Sequence, residues 1–332
     1  MIVLDADVLG RNRTGEETYV LNLLRGLPQV APDLRFAAVT RHPELVPDGV
    51  EALALPARSQ ELRMAWALPR LLRRVRPQLA HFQHALPLGY RGKSVVTLHD
   101  LHFERDPSVM GLADRITFKL VVPRAARRAD HVLAVSRRTK EDAVELYGLD
   151  PADVTVTPHG VDPVFSPGGA PRGYLLFVGA IQARKNPLAA ADAAHAAGLP
   201  LVVAGPEKDR RLAQALRERG ADVRGWVAQD ELAELYRGAE ALVLPSRFEG
   251  FGVPVVEAMA SGTPVVLSAD PALREVAGDA AVYAEDGNFG AAVLLALSER
   301  ERLSQAGVER ARSFSWDETC RRTVDVYREV LS

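Results

Sequence analysis

Cysteine is nearly absent: Cys320 is the only one in 332 residues. One thiol makes neither an internal disulfide nor a thiolate zinc cluster, and a reducing compartment suits such a chain. Long apolar runs are missing as well. No stretch approaches the roughly 20 apolar residues that span a bilayer. Met1-Ile2-Val3-Leu4-Asp5-Ala6-Asp7 lacks the basic start of a signal peptide and reads as a first strand. The expectation is a soluble, cytoplasmic protein, with attachment to the inner face of a membrane left open. Charge of one sign is lacking too: 41 basic residues face 43 acidic ones, for a net charge of −2. That argues against nucleic acid as a partner. Lysine is scarce, with only Lys93, Lys119, Lys140, Lys185 and Lys208, so a pyridoxal cofactor finds no strong Schiff-base candidate beyond Lys185. Gly-x-Gly-x-x-Gly, the mark of a dinucleotide-binding turn, does not occur.

What is present is alternation. Short apolar runs at 2–8, 35–39, 52–55, 79–82, 94–98, 131–135 and 154–157 read as strands, with helical periodicity at 16–27, 61–74, 109–128 and 137–147. The second half repeats the rhythm, with strands at 174–178, 201–204, 222–224, 241–244, 265–267 and 281–283. Its helices start near Pro187, Arg210, Asp230, Val253, Pro271, Phe289 and Glu299, and a last helix covers 316–331. Such alternation means parallel sheets covered on both faces. Residues 162–173, rich in Pro and Gly, lack periodicity and read as a linker. The expected organisation is an α/β chain of two Rossmann-like domains. The expected bounds are 1–163 and 172–315, with a terminal helical segment at 316–332.

In open α/β sheets ligands sit at the carboxyl ends of strands, so the loops there carry the chemistry. After the strand ending at Leu244 comes Ser246-Arg247-Phe248-Glu249-Gly250-Phe251-Gly252-Val253-Pro254, then a helix carrying Glu257. Gly250 and Gly252 permit close approach of a ligand to the backbone, Pro254 suits a first helical turn, and a helix N-terminus there attracts an anion. Taken on spacing alone, Glu249 and Glu257 can accept hydrogen bonds from sugar hydroxyls, or Glu257 can simply complement the helix dipole. After the strand ending at Val178 comes Gly179-Ala180-Ile181-Gln182-Ala183-Arg184-Lys185-Asn186-Pro187. Adjacent Arg184 and Lys185 suit a diphosphate, and two basic residues alone also suit a solvated loop. Asn186-Pro187 looks like a cap and first turn.

These segments together resemble the retaining nucleotide-sugar glycosyltransferases of family 4, which have the GT-B fold. The match covers nearly the whole chain and is supported by Leu98-His99-Asp100-Leu101, Val135-Ser136, His159-Gly160-Val161-Asp162, Leu244-Pro245-Ser246 and Phe314-Ser315-Trp316. The resemblance implies two Rossmann-like domains facing a cleft: an acceptor-side domain at 1–163, to which the 316–332 helix crosses back, and a nucleotide-sugar donor domain at 172–315. It implies that Glu249 contacts the donor-sugar hydroxyls, Glu257 holds the ribose, and Arg184 and Lys185 stabilise the departing diphosphate. Gly179, Gly250 and the backbone of Phe251-Gly252-Val253 line the phosphate and sugar. His99 faces the sugar from the first domain, and Gly15 lets the first loop approach the phosphates. The implied activity is hexosyl transfer from a nucleoside-diphosphate sugar to a glycan or lipid-linked acceptor, with retention, no metal and no cofactor. GDP-mannose is the favoured donor. The alternatives are UDP-glucose, UDP-N-acetylglucosamine, or a non-catalytic sugar-nucleotide binder.

One departure stands out. Relatives often carry Gly-x-Gly after the first strand, whereas here Glu17 occupies the second glycine's place, which suggests an acceptor-side carboxylate. Asp5-Ala6-Asp7 has a metal-binding form but lies in the opening strand. The histidine pairs His81/His84 and His99/His102 lack the helical face that joins two metal ligands and read as hydrogen-bonding groups. Arginine-rich apolar stretches at 61–76, interrupted by Pro69, and at 118–128 can lie on anionic lipid; each also reads as an ordinary helix with a core face and a wet face.

Overall fold

The computed structural model describes residues 1–11, 14–57, 59–105 and 112–332. The chain forms two compact units, Met1–Gly160 with Trp316–Ser332, and Val161–Ser315. The first unit holds strands β1 (Ile2–Asp5), β2 (Phe36–Thr40), β3 (Glu51–Ala54), β4 (Leu79–Gln83), β5 (Ser94–Leu98), β6 (His131–Ala134) and β7 (Val154–Val156). Its helices are α1 (Thr14–Val30), α2 (Gln60–Leu62), α3 (Leu68–Val75), α4 (His102–Arg105), α5 (Leu112–Arg128) and α6 (Arg137–Tyr147). The seven strands form one parallel sheet in the order β3-β2-β1-β4-β5-β6-β7. The central strands are buried along their whole length, as helices on both faces demand. Edge strand β3 is largely exposed and opens with Glu51, a charge that discourages pairing with another chain.

The second unit contains β8 (Tyr174–Val178), β9 (Leu201–Ala204), β10 (Asp222–Gly225), β11 (Ala239–Leu244), β12 (Val265–Ser268) and β13 (Ala281–Ala284). Between and after them run α7 (Pro187–Ala197), α8 (Arg210–Glu218), α9 (Gln229–Gly238), α10 (Val253–Ala260), α11 (Pro271–Ala277), α12 (Phe289–Ser298) and α13 (Arg300–Ala311). This sheet is also parallel, ordered β10-β9-β8-β11-β12-β13. The order reverses at β8/β11, so the loops leaving β8 and β11 emerge side by side. Strand order in α/β sheets marks such a point as the ligand crevice.

The final helix, α14 (Trp316–Leu331), belongs to the first unit. Val324, Val326 and Tyr327 enter the core that holds Ile2, Leu4, Tyr19 and Leu23. The approach to α1 is close: a Cβ on Gly26 would lie 2.6 Å from the Cys320 sulfur. The buried His81 ring bridges the Tyr327 hydroxyl and the Thr97 hydroxyl at 2.5 and 2.6 Å. Burial pushes its pKa down to about 3, so it is neutral.

Three local expectations are corrected. Pro69 does not interrupt its stretch: a π-helical turn, Arg63–Ala67, joins α2 to α3 without a break, and the Met64 carbonyl in that turn accepts the Leu88 N–H from outside the helix. Asn186 precedes α7 in the left-handed region at φ +49° and makes no side-chain cap bond. The Pro/Gly-rich segment from 162 is packed onto the second unit: Phe165 is buried edge-on against Tyr236 at 5.7 Å, and Arg237 donates to the Val164 carbonyl at 3.2 Å. The first residues of the helix expected at 109–128 lie outside the described residues. Among the described residues, no helix is long and apolar enough to cross a membrane.

Candidate active site

The loop between β11 and α10 is tied down residue by residue. Ser268 donates to the Ser246 carbonyl at 2.5 Å, and Arg247 N–H to the Arg184 carbonyl at 2.9 Å. The Arg184 guanidinium donates to the Phe248 carbonyl at 2.5 Å, and Glu249 N–H points to Asp270 Oδ2 at 3.4 Å. Gly250 and Phe251 are buried, with the Phe251 ring edge-on to Phe314 at 5.7 Å. Gly252 turns the chain into α10 at φ +106°, where a Cβ would also strike Leu273 at 2.7 Å, so no other residue fits there. Val253 and Pro254 open the helix.

Glu249, only 5% exposed, aims its carboxylate at the other loop. Lys185 Nζ lies 2.5 Å from Oε1, and Arg184 Nη1 lies 3.6 Å from Oε2. Burial alone would raise this carboxyl's pKa, but the charges of Lys185 and Arg184 outweigh burial and hold it below the ordinary range. Both cations sit on the short 3-10 turn Ala183–Lys185 that follows Gly179. Gly179 itself has φ +146°, and its carbonyl oxygen would be 2.1 Å from a Cβ on Gly205. The ends of β8 and β9 approach this closely only because Gly205 has no side chain.

Glu257 is half-buried on α10 and accepts a hydrogen bond from the Tyr236 hydroxyl at 2.8 Å. Burial, then the charge of Asp162, push its carboxyl up to about 8, against the pull of Tyr236. At neutral pH it is largely a neutral acid. Asp270 and Tyr236 are the residues that sequence reasoning passed over. Asp270-Pro271 reads only as a helix start, and Asp270 caps that helix: Oδ1 accepts from Ala272 and Leu273 N–H. Its second role depends on β11 and β12 being paired neighbours.

The structure thus brings Arg184, Lys185 and Glu249 together on adjoining loops. His99 and Gly15 lie in the first unit. His99, at the end of β5, bonds Gln83 through Nε2 at 2.8 Å and packs edge-on to Tyr19 at 4.9 Å. Burial brings its pKa down to about 4, so the ring is neutral. His84, at φ +58°, pairs with Glu16 at 3.2 Å, and His102 pairs with Asp100 at 2.5 Å. Gly15 falls in the first turn of α1, with nothing within 4 Å of the place a Cβ would take. Glu17, suggested as an acceptor-side carboxylate, accepts the Gly10 N–H at 2.6 Å and so braces its own loop. Asp5 and Asp7 are taken up by arginine. The fully buried Arg63 grips both Asp5 oxygens at 2.5 and 2.9 Å and lies 3.3 Å from Asp7. Arg41 and Arg11 also pair with Asp7.

Comparison with known proteins bears on these two sheets and their loops. The family described as "Glycosyl transferases group 1" matches residues 168–312, and "Glycosyltransferase Family 4" matches residues 13–165. The chain belongs to these glycosyltransferases. The O-antigen chain mannosyltransferase B of Escherichia coli is 28% identical to this glycosyltransferase over 299 residues, covering 80% of this chain and 77% of its own. A D-inositol 3-phosphate glycosyltransferase of Thermomonospora curvata is 36% identical over 244 residues; the aligned region is 60% of this chain and 57% of that one. Sucrose-phosphate synthase from Thermosynechococcus elongatus superposes with a TM-score of 0.81 at 20% identity, covering 99% of this chain and 98% of the other. That likeness concerns the fold. Two parallel-sheet units with the final helix returning to the first make this a GT-B glycosyltransferase.

Proposed function

We propose that this glycosyltransferase moves a hexose from a nucleoside-diphosphate sugar to an acceptor hydroxyl in glycolipid or polysaccharide assembly, with retention at the anomeric carbon. GDP-mannose is the favoured donor, in keeping with the mannosyltransferase relative. The observation that carries the reading is the Arg184–Lys185–Glu249 cluster at the carboxyl ends of β8 and β11.

Two adjacent cations beside the start of a helix suit a diphosphate better than any other common ligand. In the reaction, the bond between the anomeric carbon and the phosphate oxygen breaks with oxocarbenium character. Arg184, Lys185 and the start of α10 stabilise the charge that grows on the leaving diphosphate. The acceptor oxygen forms the new bond on the same face, and its proton passes to the departing phosphate. Glu249 accepts hydrogen bonds from sugar hydroxyls, Glu257 from the ribose, and His99 offers a neutral ring to a substrate hydroxyl. The protein's own cations supply the charge that a divalent ion provides elsewhere, so neither metal nor cofactor is needed.

A basic, apolar face on the first unit suits an anionic lipid surface as a further partner. Leu62, Trp66 and Leu88 are 60, 62 and 70% exposed. Leu88 N–H bonds the Met64 carbonyl at 2.9 Å, which sets these side chains on neighbouring backbone. Arg70 lies over the Trp66 ring at 4.8 Å, and Arg73, Arg74 and Arg76 follow it exposed. Within 60–76 only Glu61 opposes them, and arginine beside exposed tryptophan and leucine is the chemistry of an interfacial helix.

A thermal-shift panel of GDP-, UDP- and ADP-sugars tests the donor. A ligand at about 100 times its dissociation constant stabilises by about 2.7 kcal/mol, with GDP-mannose expected to give the largest shift. Product formation with purified acceptor fractions then separates an enzyme from a binder. Glu249→Gln should bind nucleotide normally and lose transfer; full activity in that variant removes Glu249 from the site.

A further inference from the structure

We propose that Asp270 is a positioning residue for the transfer reaction, holding the backbone of Glu249 in place when the donor draws Lys185 and Arg184 away from the Glu249 carboxylate. The inference rests on the proposed function and adds a residue to it.

Glu249 has two kinds of anchor. Its carboxylate is held by Lys185 at 2.5 Å and faces Arg184 at 3.6 Å. Its backbone N–H is directed at Asp270 Oδ2 at 3.4 Å. An incoming diphosphate brings negative charge to the same two cations. Each phosphate contact that Lys185 or Arg184 makes weakens its hold on Glu249. The carboxylate must then turn to sugar hydroxyls while its loop stays still, and a catalytic group that shifts by about 1 Å loses much of its effect.

The remaining anchors are those that do not use the cations' charge on the carboxylate. Ser268 at the end of β12 holds Ser246, the Arg247 N–H holds the Arg184 carbonyl, and Asp270 holds Glu249 itself, so Asp270 is the anchor on the residue that must stay still. Asp270 is itself fixed. It is 8% exposed, and its other oxygen accepts two N–H groups of α11 at 2.9 and 3.3 Å. Its carboxyl is pushed up to about 6, first by burial and then by the charge of Glu249, against the pull of the three backbone N–H groups. At neutral pH it is therefore mostly an acceptor, the form the Glu249 N–H requires.

The two oxygens of Asp270 do different jobs, and one substitution separates them. In Asp270→Asn the amide oxygen keeps capping α11, since Asn caps as well as Asp. The amide NH2 then faces the Glu249 N–H, donor against donor. Asp270→Ala removes both functions.

The experiment is hydrogen exchange of the peptide spanning 246–252 with and without the best-binding nucleoside diphosphate, together with steady-state transfer, in wild type and both variants. For Asp270→Asn we expect a melting temperature lowered by about 2–4 °C, nucleoside-diphosphate affinity within about twofold, and kcat lowered about tenfold, the effect of losing one hydrogen bond to a charged group. Donor KM should stay near the wild-type value, and loop exchange should quicken chiefly in the ligand-bound form. Asp270→Ala should add a loss of stability. Loop exchange equal to wild type in bound Asp270→Asn, or unchanged kcat, overturns the proposal and leaves Asp270 a helix cap. A wild-type enzyme that binds and turns over no nucleotide sugar overturns the functional reading. In that case the positioning role, which is defined for that reaction, falls with it, whereas an active wild type with an unaltered Asp270→Asn overturns the role of Asp270 alone.

Discussion

Lys185→Ala removes the nearest partner of a carboxylate that is nearly sealed from water. Breaking a buried ion pair from one side costs about 3–5 kcal/mol, because the other charge stays behind unpaired. Arg184, 3.6 Å from the other oxygen, remains and offsets part of this. The expected loss is therefore roughly 2–3 kcal/mol at pH 7. Glu249→Gln alone leaves the longer, more adaptable Lys185 chain to reach solvent, so it should cost less. In the double variant neither partner of the pair is stranded and Arg184 keeps its bond to the Phe248 carbonyl, so the cycle should return a coupling energy of about 2 kcal/mol. The dependence on pH follows from the same geometry. The pair holds the Glu249 carboxyl below its ordinary range, so the pair's stabilisation is complete above that range and fades as pH falls through the lowered value. Without Lys185 the buried carboxyl titrates higher. The Lys185→Ala deficit should then be largest near neutral pH and shrink toward pH 5, as the stranded carboxylate takes up a proton. Urea unfolding of the four proteins at pH 7 and pH 5 measures all of this. A coupling below about 0.5 kcal/mol, the scale of an exposed pair, or a deficit that does not change with pH, refutes the reasoning.

Two other outcomes are expected. Transfer should survive exhaustive treatment with EDTA with little loss, because Asp5 and Asp7 are engaged by Arg63, Arg41 and Arg11; activity that vanishes and returns with magnesium or manganese would refute the metal-free proposal. The protein should co-sediment with vesicles of anionic phospholipid but not with zwitterionic ones, and Trp66→Ser with Arg70→Gln should weaken this roughly fivefold, from about 1 kcal/mol per basic side chain at such a surface; equal sedimentation of the double variant would remove that face from lipid binding.

The thirteen strands of the described residues were legible in the sequence, mostly to within a residue or two: the central ones as short apolar runs buried on both faces, and the exposed edge strands β3 and β10 through their place in the alternation. The last helix was legible to both of its ends. Arg184, Lys185 and Glu249 were legible as candidates because each follows a strand in a loop with Gly or Pro. The rest depends on contacts far apart in sequence. Arg63 read as one more arginine on a wet helix face, yet a π-helical turn sends it inward to Asp5, 58 positions away. Tyr236 drew no reading from the sequence, and only the packing of α9 against α10 shows its hydroxyl on Glu257. Asp270 drew no reading beyond a helix start near Pro271, since its spare oxygen meets Glu249 only through the β11–β12 register.

The return of α14 to the first unit has a consequence for the order of events during synthesis. Cys320, Val324, Val326 and Tyr327 are built into the same core as Ile2, Leu4 and Tyr19, yet residues 161–315 must be translated between them. At ~5–20 residues per second the ribosome takes roughly 8–30 s over that interval. Throughout it the first unit has its seven strands in hand but leaves uncovered the groove beside α1, with His81 waiting for the Tyr327 hydroxyl. The second unit, whose residues are continuous in the chain, can close its core while still attached to the ribosome. The first unit is thus expected to complete its core only once α14 has been made, after every residue of the second.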